Sequence, residues 1–244
     1  MSEVAQFIAD FKKSKVYYDI INDNKIEVIM LFLTGSTLLK TSDSNSDYDI
    51  CVLVKEKPTE SLSTLFKVYS RPGSYFIYYK KQQKIAQWIY NDINDITNIT
   101  STPLDNIGWV QFKYISENYI IYKNPKYLNF INDLLQRKQE ISTYALYLFV
   151  KSALNYIQEN DSVGDLVHIR RNKNKPVKLF GHICWAADLL QNKFPNEDLI
   201  KSIKRTFAEH LTEEQLSYIK NSMNFLEQFL INPNLDIKKP NINI

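Results

Sequence analysis

Apolar positions along the chain follow two rhythms, and the change between them divides the sequence. Val4, Phe7, Ile8 and Phe11 recur at helical spacing and predict an amphipathic helix at the start. Ile26–Leu33 is a compact apolar run that stops at Thr34-Gly35-Ser36, which predicts a buried strand ending in a glycine turn. A short helical turn is expected over Ser36–Lys40, followed by the polar, turn-forming stretch Thr41–Ser46. Asp47–Val54 then reads as a second strand, closed by Lys55-Glu56-Lys57-Pro58. Thr59–Phe66 predicts a short helix. Tyr75–Tyr79 and Ile85–Tyr90 are rich in aromatic and β-branched residues around a polar segment, the pattern of a hairpin.

From about Asn124 the period is helical. Leu128, Ile131, Leu134 and Leu135 share one face, and Tyr144, Ala145, Leu148 and Phe149 share another. Pro176 suits the first turn of a helix running through Val177, Phe180, Ile183, Cys184 and Ala187. Thr212 with Gln215 has capping-box spacing before a last helix. Strands mixed with helices, then helices alone, predict an α+β fold in two parts. An N-terminal mixed β-sheet domain is expected over 1–122 and a helical bundle over 123–232, with an extended tail over 233–244.

Composition narrows the class. The chain has 244 residues, 44% of them hydrophobic, and a formal net charge of +3, enough for one large or two small cores without demanding a nucleic-acid partner. Cys51 and Cys184 both sit in apolar stretches, too few for a disulfide framework or a zinc site, and they predict reduced core thiols and a cytoplasmic setting. The first residues lack the apolar region of a signal peptide, and no apolar run has the length of a membrane span, so no membrane association is expected.

The chemistry concentrates at Gly35, Ser36, Asp47 and Asp49. Side chains alternate along a strand, so Asp47, Asp49, Cys51 and Leu53 share one face and Tyr48, Ile50, Val52 and Val54 the other. The two carboxylates are then about 6–7 Å apart at their Cα atoms. Like charges so placed repel, and a divalent cation offsets that cost; Mg²⁺ takes oxygen ligands, commonly one or two carboxylates with substrate phosphates. Gly35 lets a phosphate approach the backbone, and Ser36 offers a hydroxyl and an amide to it.

Leu33-Thr34-Gly35-Ser36, then Ser46-Asp47-Tyr48-Asp49-Ile50, resembles the signature of the DNA polymerase β-like nucleotidyltransferase superfamily, most sharply over Val28–Val54. The resemblance implies that Gly35 and Ser36 hold the β- and γ-phosphates of a nucleoside triphosphate such as ATP. It implies that Asp47 and Asp49 bind Mg²⁺ (or Mn²⁺) and are catalytic. It also implies transfer of a nucleoside monophosphate to a hydroxyl, with pyrophosphate leaving. The family usually adds a third carboxylate on a later strand. The candidate strand Lys84–Tyr90 has Gln87 at that place, with Asp92 following.

In the helical half, Lys178, His182 and Trp185 share a helix face. The segment Lys175–His182 is similar to one in phage and bacterial members associated with RNA repair, which would make Lys178 and His182 nucleotide-binding. Three acceptors stay open: an RNA end, a protein hydroxyl or a small molecule. The alternative is a catalytically impaired relative acting as a nucleotide- or RNA-binding module, which Gln87 favours.

Overall fold

The structure, a computed structural model, describes residues 2–22, 26–38, 48–56, 74–79, 82–92, 96, 107–160, 178–207, 210–233 and 237–242, with only the backbone of 74–79, 82–92, 107, 159–160 and 178. The expected helix over Thr59–Phe66, and the first three residues of the segment Lys175–His182, lie outside them. The described residues fall into two compact units, one within Met1–Asn98, Gly108–Ser142 and Lys239–Ile244, the other within Ile99–Ile107 and Thr143–Lys238.

In the first unit, α1 (Glu3–Lys12) starts at Ser2, whose hydroxyl accepts from the Ala5 amide at 3.2 Å. Helix α2 (Lys15–Ile21) starts in the same way at Ser14, accepting from Tyr17. These caps satisfy amides that have no partner inside the helix. The apolar stripe read from the sequence turns inward: Phe7 and Phe11 are fully buried.

Strand β1 (Val28–Thr34) is buried at every position, the burial expected of a central strand covered on both faces. It pairs antiparallel with β2 (Tyr48–Val54), Thr34 opposite Asp49. The hairpin is present as β3 (Ser74–Tyr79) and β4 (Gln82–Asp92), and β4 runs parallel to β2. Residues Ile120–Lys123, at the expected boundary between the halves, form β5 against the other edge of β1. The result is a five-stranded mixed sheet in the order β3-β4-β2-β1-β5.

Strand alternation sorts the core. Tyr48, Ile50, Val52 and Val54 join Leu31, Leu33, Phe7, Phe11, Val16 and Ile20 in one apolar cluster. The Phe7 and Tyr48 rings stack with centroids 3.9 Å apart, and the Tyr48 hydroxyl donates to Glu3 Oε1 at 3.2 Å. Phe32, of opposite parity, meets Trp109 and Phe112 on the second face, with centroids at 5.9 and 5.5 Å. Those rings come from α4 (Ile107–Val110) and the 3-10 turn Gln111–Tyr114 that follows it. Helix α5 (Leu128–Gln136) buries Ile131 and Leu134. The end of the chain returns to this unit: Pro240 is buried, and Arg137 donates to the Asn241 carbonyl at 2.9 Å.

Helix α6 (Lys138–Asn160) contains the division between the units. In the second unit, α7 (Lys178–Leu190), α8 (Glu197–Arg205) and α9 (Glu213–Ile231) form the helical bundle. Gly181 allows α7 and α8 to approach closely, since a Cβ there would stand 3.1 Å from the Ile200 carbonyl oxygen. Asp188 is buried and accepts from the Tyr218 hydroxyl; burial first, and then this carboxylate, raise the Tyr218 pKa. Cys184 is fully buried, and burial pushes its thiol up to about 12. Both cysteines are buried thiols outside any disulfide.

The capping box read from Thr212 and Gln215 forms as expected: the Thr212 hydroxyl accepts from the Gln215 amide, and the Gln215 side chain accepts from the Thr212 amide at 2.9 Å. Thr212→Ala is expected to cost about 1 kcal/mol, seen as a lower denaturant midpoint with an unchanged slope. No helix among the described residues is long and apolar enough to cross a membrane.

Candidate active site

The glycine turn sits where β1 ends on the second face of the sheet. Gly35 has φ +70°, a left-handed conformation that side-chain-bearing residues adopt at a cost. A short helix, α3 (Gly35–Leu38), begins at this residue. Because Thr34 and Asp49 are cross-strand partners, the carboxylate of Asp49 lies directly against the turn. A Cβ on Gly35 would stand 2.1 Å from Asp49 Oδ2. Both the backbone angle and the missing side chain are therefore needed at position 35.

A buried amide holds the turn from behind. The Oε1 of Gln111 accepts from the Gly35 amide at 2.8 Å and from the Thr34 hydroxyl at 3.2 Å. Gln111 and Thr34 are 4% and 5% exposed, so the Thr34 hydroxyl and the Gln111 oxygen have no water as a ready substitute. Nothing in the sequence reading pointed to Gln111. Its one signal is a polar residue interrupting the run Trp109-Val110-Gln111-Phe112.

The structure thus brings Gly35, Ser36 and Asp49 together. Ser36 and Asp49 are both half-buried. Asp47 lies outside the described residues. Lys178 and His182 are both on α7 in the second unit, where His182 is half-buried. The parallel pairing of β2 with β4 places Gln87 opposite Asp49, and Asp92 opposite Val54 at the far end of both strands. Asp92 closes β4 as its last residue. Among the described residues, no group of three or more His, Cys, Asp and Glu side chains is gathered to hold a metal ion.

A β-strand, a turn with a left-handed Gly35 and a carboxylate on the next strand put an anionic oxygen donor beside the backbone of the turn. Chemically this arrangement suits a phosphate whose charge is shared with a cation. Among curated proteins, none matches the chain. A family model described as "Nucleotidyltransferase domain" matches residues 17–141, a span that includes the sheet strands β1 to β5, the turn and Gln111. That match covers half of the 244 residues, and the chain belongs to this nucleotidyltransferase family, in keeping with the polymerase β-like signature at Gly35-Ser36 and Asp47-Tyr48-Asp49.

Proposed function

We propose that the protein moves a nucleoside monophosphate from a nucleoside triphosphate to a hydroxyl acceptor, with Gly35, Ser36, Asp47 and Asp49 as the reacting surface. The observation that carries this reading is the Asp49 carboxylate occupying the space that a side chain on Gly35 would fill. A phosphate at the turn and a cation at the carboxylate would then be neighbours.

The residues fit a hard divalent cation. Asp49 supplies carboxylate oxygens beside a glycine, and the sequence places a second carboxylate, Asp47, at the same parity. When bound, Mg²⁺ or Mn²⁺ would shield phosphate charge and favour in-line displacement. The chain's own groups do the rest. Gly35 and Ser36 would seat the β- and γ-phosphates, and the two aspartates would hold the cation beside them. The acceptor oxygen bonds to the α-phosphorus as the bond from that phosphorus to the α,β-bridging oxygen breaks, and pyrophosphate departs.

Gln87 qualifies the proton's path. The register puts an amide opposite Asp49, where the family usually has its third acid. An amide accepts a hydrogen bond from a hydroxyl but does not take its proton, so the acceptor proton passes to water or to a group other than residue 87. The same residue supports a second reading, a module that binds nucleotide or an RNA end without turnover.

Incubation with each α-labelled NTP, Mg²⁺ or Mn²⁺, and in turn total RNA, protein acceptors and small hydroxylated molecules tests the first reading and its acceptor class. Label transfer with pyrophosphate release is the expected result. NTP-dependent thermal stabilisation without turnover would support the second. Ser36→Ala is expected to raise KM for the NTP by roughly tenfold with a smaller change in kcat, the effect of losing one phosphate hydrogen bond; initial rates across NTP concentrations measure it.

A further inference from the structure

Glycine at position 35 permits a left-handed turn but does not select it, because glycine populates positive and negative φ about equally. Something outside the residue has to supply the preference. Among the described residues, the group placed to do so is the side-chain oxygen of Gln111, which takes the Gly35 amide at 2.8 Å and the neighbouring Thr34 hydroxyl at 3.2 Å. Gln111 reaches the turn from a separate element, the 3-10 turn packed on the second face of the sheet through Phe112 against Phe32.

We propose that Gln111 is a positioning residue for nucleotide binding: its buried amide oxygen locks the Gly35 turn in the conformation that receives the triphosphate. The inference rests on the nucleotidyltransferase reading of the Gly35-Ser36 site. It also assigns a division of labour within the turn. The Gly35 amide is committed to Gln111, so Ser36, rather than Gly35, presents the hydrogen-bonding groups to the phosphates. Gly35 contributes its angle and its missing side chain.

The lock has a specific chemical weakness. Methionine has nearly the shape of glutamine but lacks its amide oxygen, so Gln111→Met takes the acceptor from the buried Thr34 hydroxyl and from the half-buried Gly35 amide. Thr34→Val removes the other donor but keeps the Gly35 bond. Both substitutions lower stability; only the first should release the turn.

The test measures the dissociation constants of ATP, GTP, CTP and UTP, each with Mn²⁺, for the full chain well below each variant's melting temperature. Amide exchange of the peptide containing Gly35 is followed in parallel. For whichever NTP the unaltered protein binds, Gln111→Met is expected to weaken binding by roughly 5- to 100-fold and to speed exchange at Gly35. Thr34→Val is expected to stay within about twofold of the unaltered protein. Two results would overturn the inference while leaving the nucleotide site intact. One is a Gln111→Met protein that melts lower but binds as before. The other is a Thr34→Val protein that weakens binding as much as Gln111→Met does. If the unaltered chain bound none of the four, the reading of the site itself would fail and this inference with it.

Discussion

Asp49→Asn is expected to abolish nucleotidyl transfer while leaving the fold in place. The substitution keeps the shape of a side chain that lies against Gly35 and removes only its charge. A metal-held transition state owes several kcal/mol to such a ligand, so the turnover number should fall at least about 10³-fold. Stability should change by less than about 1 kcal/mol, since the group is half-buried at the start of a strand. Asp47→Asn should act in the same direction through the second ligand position. Single-turnover label transfer gives the rate, and denaturant unfolding gives the stability. Asp49→Asn protein with a tenth or more of the normal rate would contradict the role assigned to this carboxylate.

Gly35→Ala should also be damaging, by a different route. Alanine at φ +70° pays about 1–2 kcal/mol in backbone strain. Its Cβ would also come within 2.1 Å of Asp49 Oδ2, much closer than van der Waals contact allows. The carboxylate is the movable partner, so it has to give way by roughly 1 Å. Displacement of that size at a reacting centre costs about 10²-fold in rate. The variant should therefore fold, melt lower and lose transfer activity out of proportion to its lost stability. Pairing Gly35→Ala with Asp49→Asn separates the causes. The stability cost of the glycine change should persist, while its effect on rate should vanish against the already inactive background. Activity falling only in step with the folded fraction would mean that the close approach has no catalytic role.

The elements that the sequence revealed are those whose signal is local. The run Val28–Thr34 is apolar throughout and ends at a glycine, so β1 and its turn follow from period and punctuation. Alternation along β2 separated Asp49 from Tyr48, Ile50, Val52 and Val54, and those four residues are in the buried cluster under α1 and α2. The hairpin and the Thr212 capping box were legible for the same reason. What stayed hidden was non-local. The parallel pairing of β2 with β4 joins segments distant in the chain, so the position of Gln87 opposite Asp49 could be guessed only through a family resemblance. Ile120–Lys123 is a four-residue strand with one fully buried position, too short and too mixed to show a period. Gln111 was invisible because its importance comes from the turn it reaches, 76 positions earlier in sequence. Single polar residues inside apolar runs are where a side chain can serve the backbone of another element, and nothing in their own neighbourhood says which one.

Asp47 and Asp49 are proposed to hold a divalent cation next to a triphosphate seated on Gly35-Ser36. A crystal structure of the protein soaked with Mn²⁺ and a non-hydrolysable NTP analogue, with anomalous scattering recorded near the manganese edge, tests it most directly. The expected result is an anomalous peak coordinated by carboxylate oxygens of Asp47 and Asp49, with the β- and γ-phosphates within hydrogen-bonding distance of Ser36. Analogue density with manganese held elsewhere, or no ligand at the Gly35 turn at saturating concentration, would contradict it.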